Sequence, residues 1–128
     1  MNSIKKQLSF FSNALNIRNK RNDIIASNIA NAATPNFKAR DINFLDEFKK
    51  VTKNGDIKTT HINHIYSKNP NISGKALYRE PVIASLDGNT VELSVEQMQF
   101  AENTMRYQTT LKFLNGKINK MITAIRGE

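Results

Sequence analysis

The stretch "IIASNIANAATPNFKARD", Ile24 to Asp41, decides how this chain is organised. Its first half carries isoleucine and alanine at the spacing of a buried helical face. Pro35 cannot donate a backbone hydrogen bond and disfavours helical geometry at Thr34, so the helix is expected to stop near Ala33. "TPNF" then reads as a turn, with Pro35 in the second position and Asn36, the best non-glycine residue for a positive φ, in the third. Two amides, Asn28 and Asn31, interrupt the apolar pattern. A local reading has Asn31 ending the helix and Asn28 satisfying a carbonyl. A second reading has small alanines admitting another backbone while buried asparagine fixes the register of packed helices, as a polar residue does in a coiled-coil seam. Residue chemistry alone leaves both open.

Upstream, Ile4, Leu8, Phe11 and Leu15 step by four, three and four, and the rhythm continues through Arg18, Asn22, Ile25, Ile29 and Ala32. A parallel line of Phe10, Ala14, Ile17, Arg21, Ile24 and Asn28 widens the apolar face beyond what a two-stranded coiled coil requires, which implies more than one neighbour. Roughly 30 residues of helix would be about 45 Å long. Lys5-Lys6 ahead of Phe10-Phe11 superficially suggests a leader, but Ser9, Ser12, Asn13 and Asn16 break any apolar run, so no cleaved signal is expected. No stretch approaches the ~20 apolar residues of a membrane span.

Downstream, periodicity fades from about Asp41 to Gly88. "FLDEFKK" suggests one short helical turn, and Asn54-Gly55 sits where a type I′ hairpin turn would. Pro70, Gly74 and Pro81 punctuate the rest. Order returns after the Asp87-Gly88 turn. Ser94 with Gln97 matches a capping box, and Leu93 with Met98 a hydrophobic staple, opening a helix that should run to about Arg126. Tyr107, Leu111, Leu114, Ile118, Met121 and Ile125 keep the four-three rhythm, while Met98, Ala101 and Met105 occupy a shifted face and Phe100 and Phe113 extend the apolar surface. The fold class expected is mainly α: long terminal helices paired as a coiled-coil-like antiparallel hairpin around an irregular middle that holds a short β-hairpin. As domains, 1–33 and 89–128 form the two halves of one discontinuous core, and 34–88 a loop and small β region. Paired in this way, the helices shield one apolar line each and leave the second exposed, so self-association follows.

Composition bounds the function classes. The 128 residues suffice for one domain, but 39% hydrophobic content, no tryptophan and a mean hydropathy of −0.50 leave a modest core. Lysine, asparagine and isoleucine are abundant, a bias an AT-rich genome produces by itself, so the net charge of +8 is weak evidence for an acidic partner. Without cysteine there are no disulfides or thiolate metal sites. His61 and His64 form a bare HxxH without a ligand set around it. "NIS" at Asn71 is a sequon that arises easily in an asparagine-rich chain. No nucleophile elbow, phosphate loop or carboxylate pair is present, so neither catalysis nor a cofactor nor a small-molecule substrate is expected. Nucleic-acid binding is the competing reading, because "NIRNKRND" clusters Arg18, Lys20 and Arg21. The bases are otherwise spread along the chain and no turn fits a helix-turn-helix, so a solvated helical face is preferred and no nucleic-acid partner is expected.

"ASNIANAATPNFKARDINF" resembles the N-terminal signature of the bacterial flagellar rod and hook proteins, the axial family, in which a helix ending in Ala-Asn leads through a small stretch into Thr-Pro-Gly-Tyr and a basic residue. "SLDGNTVELSVEQMQFAENTMRYQTTLKFLNGKINKMITAI" looks like the C-terminal region of the short, proximal rod members of that family. The signature residues here are Asn28, Ile29, Ala30, Asn31, Thr34, Pro35, Asn36 and Phe37. Asn36 replaces the usual glycine and tolerates positive φ, while Phe37 replaces the common tyrosine and lacks its hydroxyl. The resemblance implies a structural subunit exported unfolded through the flagellar type III apparatus and polymerised in the periplasm. Its partners would be copies of itself, other rod proteins, the export apparatus, and the membrane ring with the adaptor that joins ring to rod. Subunit packing would fall to Ile4, Leu8, Phe11, Leu15, Ile25, Met98, Met105, Tyr107, Leu111, Leu114, Ile118, Met121 and Ile125. Phe11 with Leu15 also matches the phenylalanine and apolar pair of early export substrates.

Overall fold

The computed structural model describes residues 2–53, 76–81 and 85–127. In chain order the elements are α1 (Asn2–Ala30), β1 (Arg40–Asp41), α2 (Phe44–Lys53), β2 (Leu77–Tyr78) and α3 (Leu93–Arg126). The chain is mainly helical, with long terminal helices and a small antiparallel sheet between them. α1 and α3 pack against each other over much of their length. Asn28 of α1 reaches Glu96 of α3 and Asn22 reaches Asn103, so residue numbers rise on one helix as they fall on the other and the pair is antiparallel. At the standard rise, 29 and 34 residues give helices of about 44 and 51 Å.

α2 changes the expected picture of α1. Segment 44–53 is a ten-residue helix rather than a single turn. The Asn43 side-chain oxygen accepts from the N–H groups of Leu45 (3.1 Å) and Asp46 (3.3 Å), capping its start, and Asp46 and Glu47 place negative charge in its first turn. Its apolar side lies on the second line of α1: Phe48 meets Phe10 edge-on at 4.8 Å and stacks on Phe44 at 5.6 Å, while the Arg18 guanidinium sits 4.3 Å from the Phe44 ring centre. Ile17, Ile42 and Val51 form the core here, with Ile24, Phe44 and Phe48 packed around them. Ala14, Ile17 and Asn28 are therefore buried within the chain, and the second apolar line, expected to be left for other subunits, is largely covered by α2 and β1.

The two-residue strands pair as Arg40 with Tyr78 and Asp41 with Leu77, and the Arg79 N–H donates to Ala39 O at 2.9 Å. This pairing joins segments on either side of the middle region; the hairpin expected at Asn54-Gly55 lies outside the described residues. At the start of α3 the capping box does not form. The helix begins one residue before Ser94, Glu92 occupies the cap position without a capping hydrogen bond from its side chain, and Leu93 and Met98 are both exposed rather than stapled. The start is fixed from outside instead, because Thr90 N–H bonds Phe37 O (3.0 Å) and Val91 N–H bonds the Asn89 side chain (2.8 Å). Gly127, at φ 78°, ends α3 with its N–H on Thr123 O.

Candidate assembly surface and the polar clasp beneath it

α1 ends at Ala30, three residues before the proline rule alone would stop it, and residues 31–33 continue as turns. Asn31 supplies the reason: its amide donates to Ser27 O (2.8 Å), and its side-chain oxygen accepts from the Thr34 hydroxyl (3.2 Å). The Thr34–Phe37 turn closes through Phe37 N–H to Thr34 O, with Asn36 at φ 61°. Asn36 N–H then bonds Asp87 O (2.9 Å), and Lys38 Nζ bonds Gly88 O (2.6 Å). Gly88 suits this turn because its φ is +72°, and a Cβ there would have to displace the exposed Asn36 side-chain oxygen, 2.6 Å away.

Asn89 holds the two halves of this turn together. Its buried amide donates to the carbonyls of Asn31 (3.1 Å), Ala32 (2.9 Å) and Thr34 (3.0 Å), one N–H being shared between two acceptors. These carbonyls belong to the turn that follows α1, and Asn31 O also accepts from the Thr34 N–H. Asn89→Ala should lower stability by about 1–3 kcal/mol, the cost of unsatisfied buried acceptors. Asn89→Asp should cost more, because a carboxylate would face three carbonyl oxygens. Urea denaturation followed by circular dichroism tests both.

Beneath the turn a polar clasp joins every element except α2. Arg21 of α1 binds Asp41 of β1 with two bonds of 2.8 Å, and Arg79, just after β2, binds the same carboxylate at 2.6 Å. Arg79 also donates to Glu96 (2.8 Å) on α3, and both arginines donate to Gln99 Oε1 at 2.8 Å. Asn28 completes the set. Its amide donates to Arg40 O (2.7 Å) and Glu96 Oε2 (3.2 Å), and its oxygen accepts from Arg40 N–H (3.1 Å). Fully buried, Asn28 has these polar atoms committed inside the chain. It fixes register between helices of one chain, with these polar atoms already engaged there.

For Asp41, burial opposes ionisation, but the hydrogen bonds and charge of Arg21, with further bonds from Arg79 and the Ile42 N–H, outweigh it and hold the carboxyl below the usual carboxylate range. Arg21 is raised in turn, chiefly by its bond to Asp41. A depressed folded-state value contributes stability that is present above the unfolded value and lost as pH falls through the folded one. The urea midpoint should therefore drop below about pH 4, and Asp41→Asn should flatten that dependence. An open cleft of about 410 Å³ borders the clasp, lined in part by Arg21, Asp41, Phe44, Leu77 and Arg79, and its arginines already hold carboxylates.

The predicted packing residues separate into two groups. Ile25 is fully buried, and Leu8, Phe11, Leu15, Tyr107, Leu114 and Met121 are half-buried in or beside the seam between α1 and α3. Ile4, Met98, Met105, Leu111, Ile118 and Ile125 are exposed, Ile125 at 86% and Met105 at 69%. Among the described residues six apolar side chains are buried while fifteen large ones are exposed, so a large apolar area is left open to contacts outside the chain.

Sequence reasoning missed Arg21, Asp41, Arg79, Asn89, Glu96, Gln99 and Asn103 as a working set. One signal was available: Glu96 and Asn103 lie seven residues apart, so they share a face of α3, and both are fully buried. No group of three acidic or histidine side chains suited to a metal occurs among the described residues, and His61 and His64 lie outside them. No helix among the described residues is long and apolar enough to cross a membrane.

The flagella basal body rod protein family matches residues 8–38, which include the carboxyl-terminal part of α1 and the Thr34–Phe37 turn. The flagellar basal body rod protein FlgB of Cereibacter sphaeroides is 52% identical over 128 residues, covering 100% of both chains. FlgB of Escherichia coli (strain K12) is 38% identical, covering 98% of this chain and 97% of its own. FlgB of Proteus mirabilis (strain HI4320) is 37% identical, covering 98% of each. With similarity of this extent spanning both long helices and the turn that follows α1, the chain belongs to the FlgB family of flagellar basal body rod proteins.

Proposed function

We propose that this chain is a non-catalytic building block of the proximal segment of the rod. It is a structural subunit of the flagellar basal body and serves motility. In this reading it leaves the cytoplasm unfolded through the flagellar type III apparatus, without a cleaved leader, and polymerises in the periplasm. Copies of itself and other rod proteins surround it, beside the membrane ring and its adaptor. Segments 1–33 and 89–128 supply the axial core, and 34–88 the outward contacts. Phe11 and Leu15 serve twice, in export recognition and then in the helical seam.

The observation that carries this reading is the excess of exposed over buried apolar side chains on two long helices. A monomer with that surface leaves its helix ends without partners, so ordering of those ends is coupled to assembly. A heterologous contact that does not close generates a helical tube. Purified basal bodies carrying a tagged copy should yield this chain, cross-linked to itself and to other rod proteins. Basal bodies lacking it would refute the role.

A further inference from the structure

The net charge of +8 is concentrated at one end of the molecule. Asn22 and Asn103 meet across the helix pair at 2.7 Å. From that contact to the free end of the hairpin, residues 1–22 and 103–127 hold ten of the nineteen basic residues and none of the eleven acidic ones. Ten acidic residues lie between Asp23 and Glu102, and Glu128 is the last. Several of those are engaged internally: Asp41 and Glu96 by Arg21 and Arg79, Glu47 by Lys50, and Glu102 by Arg106. Lys5, Lys6, Lys112, Lys117, Lys120 and Arg126 have no ion pair among the described residues.

The same end exposes an apolar strip. At the helical angle per residue, Leu111, Ile118, Ile122 and Ile125 fall within about 60° of one another on α3, and Lys112 and Arg126 border them. All four apolar residues are exposed. We propose that this strip docks a helix of an acidic partner protein, not a second copy of this chain, an inference that rests on the rod role and names the neighbour at this end.

Charge complementarity supports that choice. Two copies side by side would bring carboxylate-free ends together at the 8–10 Å spacing of packed helices, about the distance over which physiological salt screens charge. The matching end of a second copy offers no carboxylate in residues 1–22 and 103–127. A strip one row wide fits the seam of a neighbouring helix flanked by glutamates, whereas a helix lying in a bilayer buries a broad face.

Four-heptad peptides with Leu and Ile in the seam and Glu, Gln or Lys at the flanking positions serve as probes for the full chain, by fluorescence anisotropy at about 50 and 300 mM salt. The Glu peptide should bind at least about tenfold tighter than the other two and weaken with salt, while self-association of the chain strengthens with salt. The variant K112E/K117E/K120E, changed only at exposed residues, should invert the order. Equal binding of the three peptides, or tighter binding to duplex DNA or to anionic phosphatidylglycerol vesicles than to the Glu peptide, would overturn the proposal. In the source bacterium deleted for its own copy, the native chain should restore swimming and the triple variant, secreted at the same level, should not. Swimming restored by both would remove the acidic partner and leave the rod role standing; restoration by neither the native chain nor the variant would remove the rod role itself.

Discussion

Arg79→Met will cost the isolated chain about 3–5 kcal/mol, the expected penalty for removing one partner of a buried ion pair. Arg79 is the residue through which the segment after β2 reaches β1 and α3, bonding Asp41, Glu96 and Gln99. Without it the Glu96 carboxylate, fully buried, keeps only the Asn28 amide. Domains of ordinary stability have about 5–15 kcal/mol in total, and this one buries few apolar residues, so the loss should abolish cooperative unfolding near room temperature. Arg79→Lys should recover little, because an ammonium lacks the fork that spans these acceptors. The triple change Arg79→Met, Asp41→Asn, Glu96→Gln should recover more, since it leaves no orphaned charge. Urea midpoints read by circular dichroism decide it: equal midpoints for Arg79→Met and the native chain would show that the clasp contributes nothing.

Ile118→Asp should abolish rod assembly while leaving the single chain folded. Ile118 is 36% exposed and lies at the edge of the seam with α1, so in the monomer the substitution should cost about 1–2 kcal/mol of covered apolar area. Between packed subunits the carboxylate would be buried without a partner, at several kcal/mol per copy. Leu114→Asp should act in the same direction but less cleanly, because Leu114 is half-buried in its own chain. The measurement is secretion alongside swimming and rod recovery: secretion at the native level with no rods supports the division between export and packing. Retention of the variant in the cytoplasm would contradict it.

Local rules worked where one residue's covalent chemistry constrains the backbone. Pro35, Asn36 and Gly88 lie in turns because of what their φ values permit, and that is readable from sequence. The four-three rhythm likewise required two long helices. The same rules failed at the start of α3, where Ser94 and Gln97 have the right spacing but contacts from Phe37 and Asn89 set the boundary. They also failed for 44–53, whose helix is stabilised by packing on Phe10 and Ile17 from a distant part of the chain.

The helices, the turn after α1, the family and the broad apolar face of each helix are legible from the residues alone, because each depends on periodicity or on residues close together in the chain. That Asn28 locks its own chain, that Arg79 and Glu96 belong to one clasp, and that the carboxylate-free stretches lie at the same end emerges from the packed fold. Those facts depend on the register in which α1 meets α3. Register is set by buried polar groups finding partners dozens of residues away, which no local pattern encodes.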